Sequence, residues 1–179
     1  MITTDNLRLL SYEWAHVEAL LRGKDELSAL LQVTIPAGWP QFPEAFSLPT
    51  EEPRPAYPSP REWPGFFFLH PRERALVGSG GFKGPPDADG AVEIGYEIAP
   101  EYWNRGIATE AARGMIDYAF SQAPVGLVMA HTLAEPNASN RVLQKVGMRF
   151  VAAVEDPDEG TIWRWQIGRA EYERARARG

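Results

Sequence analysis

The chain contains no cysteine, which excludes a disulfide framework, a thiolate nucleophile and every thiolate metal site. Its three histidines, His16, His70 and His131, lie far apart without a His-x-x-x-His spacing, so no metal is expected. Positive charge is the minority sign. Lys and Arg number 18 against 24 Asp and Glu, a net charge of −6, which argues against broad adhesion to nucleic acid or anionic lipid. No apolar run approaches the roughly 18 residues of a membrane helix, and Met1-Ile2-Thr3-Thr4-Asp5 lacks the basic and apolar regions of a signal peptide. A cytoplasmic protein is expected, monomer or homodimer, with neither a nucleic-acid nor a membrane partner.

What is present is an ordinary globular composition with one irregularity. Of 179 residues, 44% are apolar and 23% charged, and the length suits one domain. The 16 prolines are unevenly spread, however, with nine of them (36, 40, 43, 49, 53, 55, 58, 60 and 64) inside residues 32–64. Proline neither continues a helix nor donates to a sheet, so this stretch is expected to be mostly loop. Trp39, Phe42, Phe46, Tyr57 and Trp63 give that loop something to bury.

Before the loop, residues 6–10 read as a strand. Trp14, Val17, Leu20 and Leu21, then Leu27, Leu30 and Leu31, recur at helical spacing. After it, residues 65–70, 75–82 and 92–98 read as an antiparallel meander with turns at 71–74 and 85–90. An amphipathic helix is predicted over 106–121, a strand over 125–132, and a second helix over 137–146 closed by Gly147. Strands follow at 148–154 and 161–167, then an Arg-rich surface helix at 169–179. With no repeat and no second composition regime, residues 1–179 are expected to form one α+β domain.

The segment Glu93-Ile94-Gly95-Tyr96-Glu97-Ile98-Ala99-Pro100-Glu101-Tyr102-Trp103-Asn104-Arg105-Gly106-Ile107-Ala108 reads as a strand, a bend and a helix start. Free N–H groups and the positive end of the helix dipole make that start an anion site. Gly106 admits close approach of a phosphate, and Arg105 adds charge. Strand alternation puts Glu93, Gly95 and Glu97 on one face, making Glu93 the first candidate for a general base and Glu97 the second. A solvated strand face is the competing reading. Trp163 and Trp165 share another face, as core or as a pocket wall, and His131 is read as a core histidine.

Trp103-Asn104-Arg105-Gly106-Ile107-Ala108 resembles the coenzyme-binding motif of the GNAT N-acetyltransferases, and Trp103 in place of the first polar residue is similar to the RimJ/RimL branch. Pro136-Asn137-Ala138-Ser139-Asn140-Arg141-Val142-Leu143-Gln144-Lys145-Val146-Gly147-Met148 resembles that branch's second coenzyme-binding helix. The resemblance implies an α+β domain with a central, mostly antiparallel mixed sheet flanked by helices, splayed where acetyl-coenzyme A (acetyl-CoA) lies. It also implies direct acetyl transfer to a primary amine, either a protein N-terminus or a small amine, without a covalent intermediate.

By that resemblance the backbone of Asn104, Arg105, Gly106, Ile107, Ala108 and Thr109 holds the pyrophosphate, and Asn137 and Asn140 hold the pantetheine arm or the adenosine end. Ile98 N–H stabilises the oxyanion. The family's acid tyrosine is absent, with Leu143 and Gln144 in its region, so Ser139 is the substitute. Tyr96 and Tyr102 are alternatives. Asn137 and Ser139 read equally well as helix caps. The stretch 32–64 falls beside the acceptor, which makes Trp39, Phe42 and Trp63 candidate pocket lining. The rival reading is a catalytically silent acyl-CoA-binding module. A dinucleotide-binding α/β enzyme would need a parallel βαβ sheet with a Gly-x-Gly-x-x-Gly turn, and the chain has neither.

Overall fold

The computed structural model describes residues 1–48, 56 and 58–177. Pro49, Pro53, Pro55, Tyr57 and Arg178 lie outside the described residues. The chain divides into two compact units, one of Met1–Gly81 with Tyr96–Ile107, the other of Phe82–Gly95 with Ala108–Gly179.

The first unit opens with short strands β1 (Ile2–Thr3) and β2 (Arg8–Ser11), so the strand expected at 6–10 lies slightly later and gains an antiparallel partner. Helices α1 (Trp14–Arg22) and α2 (Lys24–Leu31) follow, separated at Gly23, whose φ of 148° breaks the run. Strands β3 (Gly65–His70) and β4 (Ala75–Phe82) fall where the alternation predicts them and pair antiparallel, β3 also pairing with β2. Val17, Leu27, Trp39, Phe46, Phe67, Leu76 and Ala99 form the core. The proline-rich stretch is largely irregular among its described residues. It is tied down at Thr34, which bridges to Ala75, and contains a 3-10 turn at Pro43–Ala45.

Strand β5 (Ala91–Ile98) has its first residues in the second unit and its last in the first. The second unit continues with α3 (Ile107–Ser121), β6 (Leu127–Leu133), α4 (Ala138–Lys145), β7 (Arg149–Asp156), β8 (Gly160–Gly168) and α5 (Arg169–Arg176). The apolar stripe of α3 that the 3.6-residue period predicts is buried, with Ala111, Ala112, Met115, Ile116 and Ala119 nearly solvent-free. Pairing is parallel for β5 with β6 and antiparallel for β6 with β8 and for β7 with β8. The eight strands run in the order β1-β2-β3-β4-β5-β6-β8-β7, a mixed sheet in an α+β fold.

Two features position chemistry. The parallel pairing of β5 and β6 ends at Glu93↔Met129, although β5 runs on to Ile98 and β6 to Leu133. And α5 is no loose surface helix: Arg169 donates to the carbonyls of Phe120, Gln122 and Val125, and Tyr172 hydroxyl donates to Asp117 at 2.6 Å.

Candidate active site

In the second unit Glu93, the last residue of β5 in register with β6, is the hub of a charged cluster. Lys83 Nζ lies 2.5 Å from its Oε1 and His131 Nδ1 lies 2.9 Å from the same oxygen. Burial pushes the Glu93 carboxyl up, but the hydrogen bonds and charges of Lys83 and His131 outweigh it and hold the group below the ordinary carboxylate range. Across the β6–β8 ladder His131 faces Arg164, whose Nε donates to His131 Nε2 at 3.2 Å. Neither Lys83 nor Arg164 was expected from the sequence. Their approach depends on strand pairings that local patterns do not encode.

In the first unit Glu97 is 8% exposed, and both its oxygens are taken. Ser79 hydroxyl donates to Oε1 at 2.8 Å and the Gln41 backbone N–H to Oε2 at 2.7 Å, while Trp39 Nε1–H donates to Ser79 Oγ at 3.0 Å. Gly78 makes this possible, because a Cβ there would meet the Glu97 carbonyl oxygen at 2.3 Å. Trp39 is therefore fully buried core, its ring 5.5 Å from that of Phe46 and 5.7 Å from that of Phe67. Trp63 is also buried, and Phe42 is 57% exposed at the start of the 3-10 turn.

Ile98 carbonyl accepts from Trp103 Nε1 at 2.7 Å and from Gln41 Nε2 at 2.9 Å, which gives the departing Trp103 of the motif a defined role. Ala99 N–H donates to Val77 carbonyl on β4. Since successive N–H groups leave a strand on opposite edges, Ile98 N–H points away from β4. Before α3 the backbone enters the left-handed region twice, at Asn104 (φ 60°) and at Gly106 (φ 79°). A Cβ on Gly106 would have no heavy atom within 4 Å, so its role is conformational and leaves the helix start open. Arg105 is already committed to Glu73 by two hydrogen bonds and stacks 5.0 Å over Tyr102. A phosphate would have to compete with Glu73 for it, and Arg105 in turn holds the Glu73 carboxyl below its usual range.

At α4, Asn137 is the N-cap: its side chain accepts from Asn140 N–H at 3.0 Å. Ser139 is half-buried in the first turn. Asn140 is 6% exposed and donates through Nδ2 to Glu135 carbonyl at 2.8 Å. Its Oδ1 is buried without a hydrogen-bond partner among the described residues. A buried orphan acceptor costs free energy until a donor arrives, and the amide N–H of a pantetheine arm is such a donor. This acceptor by itself fits the arm of acetyl-CoA.

Trp165 is buried, its indole on Thr132 hydroxyl at 3.1 Å, while the half-buried Trp163 shares the exposed ring of Phe150 with it. Among the described residues no group of three His, Cys, Asp or Glu is arranged to hold a metal ion, and no helix is long and apolar enough to cross a membrane.

A mixed sheet whose parallel strands part after a carboxylate, followed by a glycine turn opening a helix, is the arrangement of an acyl-transferase fold. The chain belongs to the acetyltransferase (GNAT) domain family, which matches residues 7–149. It is 36% identical over 76 residues to YoaA, an uncharacterised N-acetyltransferase of Bacillus subtilis, an alignment covering 42% of this chain and 43% of that protein. The matched region is thus less than half the length of that relative. The fold is that of RimL, a ribosomal L7/L12 alpha-N-protein acetyltransferase solved with coenzyme A (TM-score 0.63, 13% identity, 92% of this chain and 95% of that one). It is also that of a spermidine N-acetyltransferase SpeG chimera from Vibrio cholerae and hSSAT (TM-score 0.64, 14% identity, 94% and 99%).

Proposed function

We propose that this protein is an acetyl-CoA-dependent N-acetyltransferase that passes acetyl directly to a primary amine, with Glu93 as general base. The observation that carries this reading is Glu93 itself, an ionised carboxylate at the last register position of the β5–β6 pair. Acetyl-CoA supplies the activated thioester when bound. The turn Asn104-Arg105-Gly106 with Ile107, Ala108 and Thr109 cradles its pyrophosphate, and Asn140, aided by Asn137, meets the arm.

Glu93 is held ionised and is a modest base, which suffices. The amine attacks as the neutral free base, the ammonium having first given up one proton to solvent. Once nitrogen bonds to the carbonyl carbon its remaining protons become acidic, and a carboxylate within reach takes one as the thiolate leaves. Ile98 N–H, directed away from β4, stabilises the oxyanion. Ser139 hydroxyl hydrogen-bonds the departing sulfur.

The acceptor is a primary amine of one of two kinds, a protein N-terminus as RimL's name describes or a small amine such as the spermidine of the SpeG name. The net charge of −6 favours a cationic one. Phe42 is the exposed candidate contact. Trp39 acts from beneath, buried against Phe46 of the loop that carries it, and Trp63 is buried just ahead of β3.

The test is release of free thiol from acetyl-CoA across a panel of N-terminal peptides, polyamines and amino acids. Turnover is expected with at least one class, and Glu93→Gln is expected to lower it by about 10²-fold or more with unchanged coenzyme affinity. Binding of acetyl-CoA without turnover on any amine would leave a silent acyl-CoA-binding module instead, and full activity in Glu93→Gln would remove Glu93 as base.

A further inference from the structure

We infer that His131 is the positioning residue of the catalytic carboxylate and that Arg164 sets its tautomer. The inference rests on the reading of Glu93 as base. It starts from which atoms are engaged. An arginine Nε always carries its proton, so His131 Nε2, 3.2 Å from Arg164 Nε, must be the accepting nitrogen. The ring proton therefore sits on Nδ1, the nitrogen that lies 2.9 Å from Glu93 Oε1. Free histidine disfavours that tautomer; Arg164 on Nε2, together with the Glu93 carboxylate facing Nδ1, selects it.

Lys83 also meets Oε1, at 2.5 Å, but its side chain is 62% exposed and swings on four rotatable bonds. His131 is held on β6, with a side chain 15% exposed, directly opposite Arg164 in the ladder. The rigid contact to Glu93 is thus the histidine's. With Lys83 and His131 both set against Oε1, Oε2 is the oxygen assigned to the amine proton. A purely structural cross-link would need the histidine but not a particular tautomer.

The experiment compares steady-state kinetics of His131→Leu, which cannot donate, with His131→Asn, whose amide nitrogen lies close to where Nδ1 does. Expected for His131→Leu is a kcat lower by about tenfold or more with the KM for acetyl-CoA within about twofold. His131→Asn should recover most of the loss. In parallel, 15N spectra of histidine-labelled protein should show His131 protonated at Nδ1 and bare at Nε2 in the wild type, with the Nε2 resonance shifted in Arg164→Met, where that nitrogen loses its donor. Full kcat in His131→Leu alongside an inactive Glu93→Gln overturns the role of His131 and leaves the base in place. A fully active Glu93→Gln overturns both. Should His131→Leu fail to fold, the spectra decide, since a wild-type ring protonated at Nε2 refutes the inference.

Discussion

Glu97 and Glu93 are separated by three residues on one strand, yet their surroundings give them opposite work. Glu97 is almost cut off from water, and its two oxygens accept from the Ser79 hydroxyl and the Gln41 N–H. Hydrogen bonds to a charged acceptor each contribute about 1.5–3 kcal/mol, and here they fasten the loop bearing Trp39 and Gln41 to β4 and β5. Glu97→Gln leaves one amide N–H facing a donor. It is expected to cost about 2 kcal/mol of stability and, under the function proposed above, to raise the KM for the amine more than that for acetyl-CoA. Thermal melts and paired KM measurements check this, and a rise confined to acetyl-CoA would contradict it. Strand alternation shows both carboxylates on one face, but which is enclosed depends on Gly78 and on Gln41, fifty-six residues away. That is why Glu97 reads from sequence only as a second base.

Elements were most legible where a local pattern alone decides them. The predicted bounds of β3 and β4 match the structure, and α3 begins one residue after its predicted start, since apolar periodicity and flanking turn residues suffice there. The anchoring of α5 was not legible, because nothing in an Arg-rich tail says which arginine is engaged. Arg169 lends its guanidinium to the carbonyl of Phe120 at the end of α3 and to those of Gln122 and Val125 just beyond it, and lies 5.4 Å over the Phe120 ring, adding donors and positive charge where a helix C-terminus favours them. Arg169→Ala leaves these carbonyls short of donors and should destabilise the protein by about 2–3 kcal/mol. At roughly 2–4 °C per kcal/mol for a chain of this size, Tm falls by about 5–10 °C. Arg169→Lys should recover less than half, since an ammonium has no fork to span three acceptors. An unchanged Tm in Arg169→Ala would mean that α5 is held by Tyr172 and Asp117 instead.

For the molecule as a whole, the family could be read from two contiguous segments that carry its motifs, whereas the charged cluster around Glu93 could not. It needs a parallel pairing of strands separated by the whole of α3. The same long-range charge placement sets the response to acid. Glu93, Asp156 and Glu171 titrate below their ordinary values in the folded chain, so the unfolded chain binds their protons first. Their stabilisation is complete above about pH 4.5 and is lost as pH falls through the folded values. His16 acts in the same direction at higher pH. Burial lowers its pKa from 6.5, against the pull of Glu13, and its Nδ1 accepts the Glu13 backbone N–H at 2.9 Å at the start of α1, a bond that protonation destroys. Its contribution is complete above pH 6.5 and is lost below that as the ring charges. Protonation also shrinks the net charge of −6, but about 0.15 M salt already screens that repulsion. Tm measured in such salt should therefore fall in two stages on acidification, a small one beginning below pH 6.5 and a steeper one below pH 4.5. His16→Ala should start lower and lack the first stage; a Tm that rises between pH 7 and pH 5 would refute the assignment of His16, and a Tm unchanged below pH 4.5 that of the carboxylates.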